Sequence, residues 1–113
     1  YTPPAGRLLL ASSGDVNVGC VALKRLDQTA CEMKRLYVRR SHRGHRVGRA
    51  LAEAIVGEAR SLGFHKMFLH TLEEMAAARA VYVDLGFVPC AAYDATPVEG
   101  VRYMVLALAR DDG

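Results

Sequence analysis

The sequence lacks any long run of apolar residues. Its apolar stretches fall far short of the roughly 20 residues that a membrane-spanning helix needs, and no signal-peptide pattern opens the chain. We therefore expect a soluble, cytoplasmic protein with no membrane partner. The chain has 113 residues, of which 51% are hydrophobic, so it is long enough to bury one core. We predict that residues 1–113 form a single domain.

Closely spaced cysteines are also missing. The three cysteines, Cys20, Cys31 and Cys90, lie far apart, with no CxxC pair and no histidine–cysteine cluster. Such a set is typical of buried free thiols in a reducing compartment. We accordingly predict no metal site.

Acidic residues are absent from the window Lys34–Arg49, which contains seven of the fifteen lysines and arginines. A block of this kind attracts an anion. Its segment SHRGHRVGRAL places Gly44 and Gly48 at the start of a predicted helix, where unpaired N–H groups and the helix dipole favour phosphate. The segment matches neither GxxxxGK[ST] nor GxGxxG. On its own it is compatible with a phosphorylated ligand and with a merely solvated basic helix start.

Strand and helix signals alternate along the chain. Val47, Leu51, Ile55, Ala59 and Leu62 recur at helical spacing, and Thr71 with Glu74 fits a capping box. The predicted elements are strands Arg7–Ala11, Val18–Leu26 and Ala30–Val38, a helix Val47–Leu62, a strand Lys66–His70, a helix from Thr71 to Leu85, and strands Phe87–Ala92 and Val101–Ala109. The order β-β-β-α-β-α-β-β indicates an α/β (α+β) fold with one mixed sheet covered by helices.

The third predicted strand is polar on both faces. Alternation puts Glu32, Lys34 and Leu36 on one face. The other face takes Cys31, Met33, Arg35 and Tyr37. This strand is therefore predicted to do more than fill the core.

Two segments resemble the motifs of a known family. EMKRLYV at 32–38, followed by RGHRVGRAL at 43–51, resembles the acetyl-CoA-binding motif of the GNAT superfamily of N-acetyltransferases. ARAVYVDLGF at 78–87 resembles the second hallmark of that family, A-x-x-L-Y-x-x-x-G-F. The resemblance covers roughly Val18 to Leu108 and implies the GNAT-like acyl-CoA N-acyltransferase fold. Members usually carry a strand and one or two helices before the equivalent of Arg7–Ala11, so we expect a fragment or a short protein that closes its site as a homo-oligomer.

The resemblance implies acetyl-CoA as the cofactor and assigns residues to it. Backbone N–H groups of the basic loop would hold the pyrophosphate, and the edge of the third strand would pair with the pantetheine arm where two strands splay apart. The cofactor-binding residues so implied are Leu36, Tyr37, Val38, Arg43, Gly44, His45, Arg46, Val47, Gly48 and Arg49. Arg46 stands where the family prefers glycine, which is awkward if the backbone needs a positive φ there.

Transfer to an amine requires a deprotonated amine, donors for the developing negative charge and a proton for the leaving thiolate. The resemblance implies Tyr82 as the acid towards the sulfur and places Glu32 where some members have a general base. The competing interpretations are a core tyrosine and a glutamate paired with Lys34. His70 and Thr71 are predicted to end their strand facing the cleft and to line the acceptor site.

Three functions follow from this pattern. The first is an acetyl-CoA-dependent N-acetyltransferase acting on a primary amine of a small molecule, amino acid or peptide through a ternary complex. The second is a CoA-binding module without turnover. The third, DNA binding, is disfavoured because the positive charges cluster at one helix end without a helix-turn-helix partner.

Overall fold

The computed structural model describes residues 6–39, 41, 46–72, 76–92 and 100–108. Its elements are β1 Gly6–Ser13, β2 Val16–Arg25, β3 Ala30–Val38, α1 Val47–Ser61, β4 Lys66–Leu72, α2 Ala76–Leu85, β5 Val88–Cys90 and β6 Val101–Ala107. The predicted order of strands and helices is confirmed. Neither of these two helices is both long and apolar enough to cross a membrane.

The strands form one mixed sheet in the order β1-β2-β3-β4-β6-β5. Within the described residues β3 and β4 are its parallel pair, and the other neighbours run antiparallel. A parallel pair requires a long crossover connection. The helix α1 provides that connection, so its first turn lies near the end of β3.

Both helices pack on one face of the sheet. The stripe of α1 buries Leu51, Ile55 and Ala59 against the strands, and Tyr82 of α2 joins the same core cluster. Arg7 of β1 donates to Glu58 of α1 at 2.9 Å on this side. We call this side the helix face. It contains the hydrophobic core that fixes the sheet.

The opposite side, which we call the open face, carries Leu8, Leu10 and Tyr37, all about half exposed. Cross-strand partners share a face, and the pairs Leu8↔Ala22 and Ala22↔Lys34 link β1 to β3 on this side. Among the described residues no helix covers it. The open face is therefore where a substrate or another chain can approach the sheet.

The predicted capping box is wrong. Thr71 lies inside β4, buried and paired with Arg102 of β6, and α2 begins at Ala76. The antiparallel ladder with β6 continues to Leu72, so the strand outcompetes the local capping signal. Glu74 lies outside the described residues.

Two helix ends and one short strand also test the sequence prediction. Gly63 and Gly86 end their helices with φ of 86° and 105°, as predicted. Leu62 was predicted in the core stripe, which is wrong, since it is an exposed C-cap. The fifth strand is only Val88–Cys90 rather than Phe87–Ala92.

A register shift in β3 corrects the prediction for Leu36. Cys20 pairs with Tyr37, whereas Ala22 pairs with Lys34, so β3 has one more residue than β2 between these pairs. An extra residue of this kind is a β-bulge, which bends its strand. It turns Leu36 towards the core, whereas Glu32 and Lys34 stay on the open face.

Candidate active site

The strands β3 and β4 separate after three paired residues. Their pairing runs Ala30↔Lys66, Cys31↔Met67 and Glu32↔Phe68, and then β3 continues along β2 while β4 continues along β6. We call the opening beyond Glu32 and Phe68 the fork. The predicted splaying of these two strands is therefore present.

The first turn of α1 lies beside one arm of the fork. A Cβ on Gly48 would be 3.5 Å from Val38 Cγ2, which is an ordinary contact. The fold therefore does not require glycine at this position. The missing side chain instead leaves room at the helix end, where the first-turn N–H groups and the helix dipole favour an anion.

Arg46 precedes this turn in a left-handed conformation, with φ 62° and ψ 16°. It is the one non-glycine residue with positive φ among those described, and its side chain makes no capping hydrogen bond. A left-handed backbone costs an L-residue about 1–2 kcal/mol. Arg46 therefore has the backbone conformation that favours glycine, and strain of this kind is found at ligand-binding sites.

The other predicted cofactor residues fall into three groups. Arg43, Gly44 and His45 lie outside the described residues. Leu36, Val38 and Val47 are half-buried against the core, whereas Tyr37 is exposed. The guanidinium of Arg49 lies 3.1 Å from Asp84 of α2 and 3.6 Å from Glu53 of α1. The positive charge of Arg49 is therefore paired with carboxylates of both helices.

A cleft of about 580 Å³ lies on the open face at the base of the fork. Its lining residues are Lys24, Leu26, Asp27, Ala30, Glu32, Lys34, Phe68 and His70. The predicted catalytic residue Glu32 lies at its floor, with only 6% of its side chain exposed. The cleft combines a buried carboxylate with cations and an imidazole, a set of groups suited to proton transfer.

The Glu32 carboxylate has a different partner on each oxygen. Lys34 Nζ is 3.6 Å from Oε1, and His70 Nδ1 is 3.4 Å from Oε2. The predicted pairing with Lys34 is therefore present. The contact with His70 was not predicted, because it joins two strands that are far apart in the sequence.

His70 faces the cleft as predicted, whereas Thr71 does not. Successive residues of a strand point to opposite faces, so Thr71 is turned to the helix face and buried there. The prediction that Thr71 lines the acceptor site is wrong for this reason.

Tyr82 lies on the helix face, packed edge-on against Phe87 with ring centroids 5.9 Å apart. Burial raises the pKa of its phenol, so the group keeps its proton at neutral pH. Glu32 is on the other face of the sheet. Tyr82 and Glu32 therefore lie on opposite faces of the sheet, and the fork is the opening in the sheet between these faces.

Part of the cleft wall was not predicted from the sequence. Lys24 pairs with Glu32 across the β2–β3 ladder, and Phe68 precedes His70 by two residues on the same face. Asp27 shapes the rim, since its carboxylate accepts from the N–H groups of Thr29 at 2.8 Å and Ala30 at 2.7 Å. These backbone bonds lower the pKa of Asp27. Phe68 could have been predicted from the alternation of faces along β4, which places it on the same face as His70.

Solved structures with this architecture define the class of protein. A Klebsiella pneumoniae protein described as an acyl-CoA N-acyltransferase superposes with a TM-score of 0.87 and 30% identity, covering 96% of this chain and 77% of the other. A Salmonella typhimurium protein solved with acetyl-CoA as its cofactor superposes with a TM-score of 0.78, over 91% of this chain and 65% of the other. At 23% identity this second likeness shows the fold. The fold is that of the acyl-CoA N-acyltransferases, as predicted.

The family follows from the sequence matches. Residues 1–87 match the model of the Acetyltransferase (GNAT) family. An uncharacterized N-acetyltransferase of Schizosaccharomyces pombe is 36% identical over 112 residues, which are 97% of this chain and 69% of that protein. The chain belongs to the GNAT family of acetyltransferases.

Proposed function

We propose that the protein transfers the acetyl group of acetyl-CoA to a primary amine of a small molecule, amino acid or peptide, in a ternary complex. The fork is the observation that carries this proposal, because it connects the two halves of a bisubstrate site. On one side it leads to the first turn of α1, which favours an anion. On the other it opens into a cleft with a buried carboxylate. Membership of the GNAT family supports the same chemistry.

We assign the residues around the fork to the parts of CoA as follows. The backbone N–H groups of Val47, Gly48 and Arg49 lie in the first turn of the helix and would hold a pyrophosphate. The sequence prediction adds Arg43, Gly44, His45 and Arg46 to this site. The β3 segment from Leu36 to Val38 would align the amide-bearing arm as a neighbouring strand does. When bound, acetyl-CoA supplies an activated acetyl thioester.

Side chains of the protein would remove the proton from the amine and donate a proton to the sulfur. An alkylamine has a pKa of about 10 and is mostly protonated at neutral pH, so the acceptor must lose a proton. Glu32 is the negative centre of the cleft, but it is buried and already contacted on both oxygens. We therefore propose that Glu32 acts on the amine through a group that lies between them. Tyr82, which burial keeps protonated, is the proposed donor on the sulfur side.

Backbone N–H groups near the fork would stabilise the negative charge that develops on the transferred acetyl oxygen. We assign this part to the segment Leu36–Val38, which follows the bulge. Removing one donor of this kind from an enzyme costs about 3 kcal/mol of barrier. This assignment needs no covalent nucleophile on the protein.

The experiment measures CoA binding and turnover separately. Calorimetry with CoA is combined with a thiol-release assay on acetyl-CoA and a panel of primary amines. Gly48→Glu places a carboxylate at the helix end and should abolish CoA binding. Gly57→Glu makes the same charge change at an exposed position in the middle of α1, with open space around its Cβ, and should bind CoA as the wild type does.

The two readouts separate the possible functions. Binding with no turnover of any amine would leave a CoA-binding module. Absence of both binding and turnover would contradict the proposal. Equal loss in Gly48→Glu and Gly57→Glu would show that the helix end is not the anion site.

Three further expectations remain predictions. These are the single domain over residues 1–113, the cytoplasmic location and the homodimer or higher homo-oligomer. Leu8, Leu10 and Tyr37 on the open face support self-association, because their apolar surface is accessible. Light scattering across a concentration series tests the oligomeric state.

A further inference from the structure

We propose that His70 is the base that removes the proton from the acceptor amine, and that Glu32 is the positioning residue that holds its ring. This inference rests on the proposed acetyltransferase function and identifies the intermediary between amine and carboxylate. It assigns the catalytic contact to a residue of β4 and the supporting charge to β3.

The contact lies at the base of the fork. Glu32 is the last residue of β3 that pairs with β4, its partner being Phe68, and His70 follows two residues further along the same face. The Glu32 Oε2 to His70 Nδ1 distance of 3.4 Å therefore spans the point where the strands part. Tyr103, opposite His70 on β6, places its ring centroid 6.0 Å from the imidazole at an interplanar angle of 52°. The imidazole is thus held between a carboxylate and an aromatic ring.

Exposure decides which of the two groups an amine meets. The side chain of His70 is 44% exposed, whereas that of Glu32 is 6% exposed. We assign the Nδ1–H tautomer to neutral His70, because Nδ1 faces the carboxylate and Nε2, across the ring, then keeps its lone pair. An amine in the cleft therefore reaches Nε2 before it can reach Glu32.

The proton step is balanced on these atoms. One N–H bond of the ammonium group breaks, its electron pair stays on the amine nitrogen, and an N–H bond forms at Nε2 of His70. The Glu32 carboxylate stabilises the resulting imidazolium, which afterwards releases its proton to water. Imidazole suits this exchange because, as a residue type, it gains and loses a proton near neutral pH.

Other charges face the same imidazole. Lys34 and Lys24 of the neighbouring strands oppose a positive ring, Asp27 at the rim favours it, and Tyr103 lies against it from β6. The carboxylate of Glu32 contacts the ring at 3.4 Å. The test variants leave these other groups in place.

The kinetic test uses the most active amine of the panel. In His70→Asn we expect kcat/KM to fall by about 100-fold or more, with CoA affinity unchanged. His70→Ala should recover part of its activity when free imidazole is added. In Glu32→Gln kcat/KM should also fall with CoA affinity unchanged, because the carboxylate that contacts the imidazole at 3.4 Å is gone.

His65→Asn is the matched control. His65 is an exposed histidine just before β4, away from the cleft lining, and its replacement should leave kcat/KM unchanged. If His70→Asn loses less than about tenfold, or if imidazole restores nothing to His70→Ala, the assignment of His70 as base is overturned.

A spectroscopic test needs no acceptor. Nitrogen-15 NMR of neutral His70 should show the Nδ1–H tautomer in the wild type and a shift towards Nε2–H in Glu32→Gln. An Nε2–H tautomer in the wild type would overturn the positioning role of Glu32. Failure of the acetyltransferase proposal has a different signature, namely a wild type with neither CoA binding nor turnover.

Discussion

Replacement of Gly19 by alanine tests how closely β2, β3 and the start of α1 are packed. Gly19 is buried in β2, and an added Cβ would lie 2.8 Å from the carbonyl oxygen of Tyr37. It would also lie 3.0 Å from Leu51 Cδ1 and 3.4 Å from Val47 Cγ1. A backbone oxygen cannot rotate away as a side chain can. Either β3 or the first turn of α1 must therefore move.

The magnitude follows from the number of close contacts. Overpacking a core by one methyl typically costs 1–3 kcal/mol, and with a backbone oxygen involved we expect about 2 kcal/mol. For a chain of this size that corresponds to a fall in Tm of about 8 °C. CoA affinity should fall as well, because Val47 belongs to the turn that we assign to the pyrophosphate.

Gly57→Ala is the matched control for this experiment. Gly57 lies inside α1, is exposed, and its added Cβ would meet nothing within 4 Å. The same substitution should therefore stabilise the helix by about 0.5–1 kcal/mol. Thermal and urea unfolding followed by circular dichroism give both changes. A Gly19→Ala variant as stable as the wild type, or a shift of both variants in the same direction, would refute the reasoning.

Three more predictions use other parts of the molecule. Arg46→Gly should raise the free energy of unfolding by about 1 kcal/mol by relieving the left-handed backbone, with CoA affinity intact in calorimetry; lost affinity would show that the guanidinium itself binds the ligand. Tyr82→Phe should keep the wild-type Tm but lower kcat by about 100-fold. Because burial raises the pKa of Tyr82, ionisation of this phenol should not reduce the wild-type rate at any pH below ~10. Burial also raises the pKa of Cys31 to about 12, so a thiol reagent at pH 8 should modify Cys31 only after unfolding, and mass spectrometry detecting its adduct in the folded protein would contradict this.

Much of the fold was predictable because its signals are local. The order of elements follows from apolar periodicity, and Gly63 and Gly86 end their helices through a left-handed conformation that glycine adopts readily. The bounds of β3 are those predicted, Ala30–Val38. Each of these features depends on residues close together in the sequence.

The errors and gaps arise from long-range pairing. Thr71 looked like a helix cap, but its pairing with Arg102 keeps it in β4. The Glu32–His70 contact depends on the parallel register of β3 and β4, which no short motif encodes. Arg46 lies between these cases, since its neighbours indicated a ligand loop but not whether its φ would be positive.

Because of the bulge in β3, the number of residues in this strand is itself a feature of the site. Between Lys34 and Tyr37 the strand has one residue more than β2 requires. Deleting Arg35 would keep the alternation of faces on both sides of the gap, so the side chains of the core and the cleft would retain their sides. Without the extra residue we expect the strand to bend less. A substitution scan of this segment leaves the number of residues unchanged, whereas deletion of one codon tests whether the bulge shapes the space that the two substrates are proposed to share.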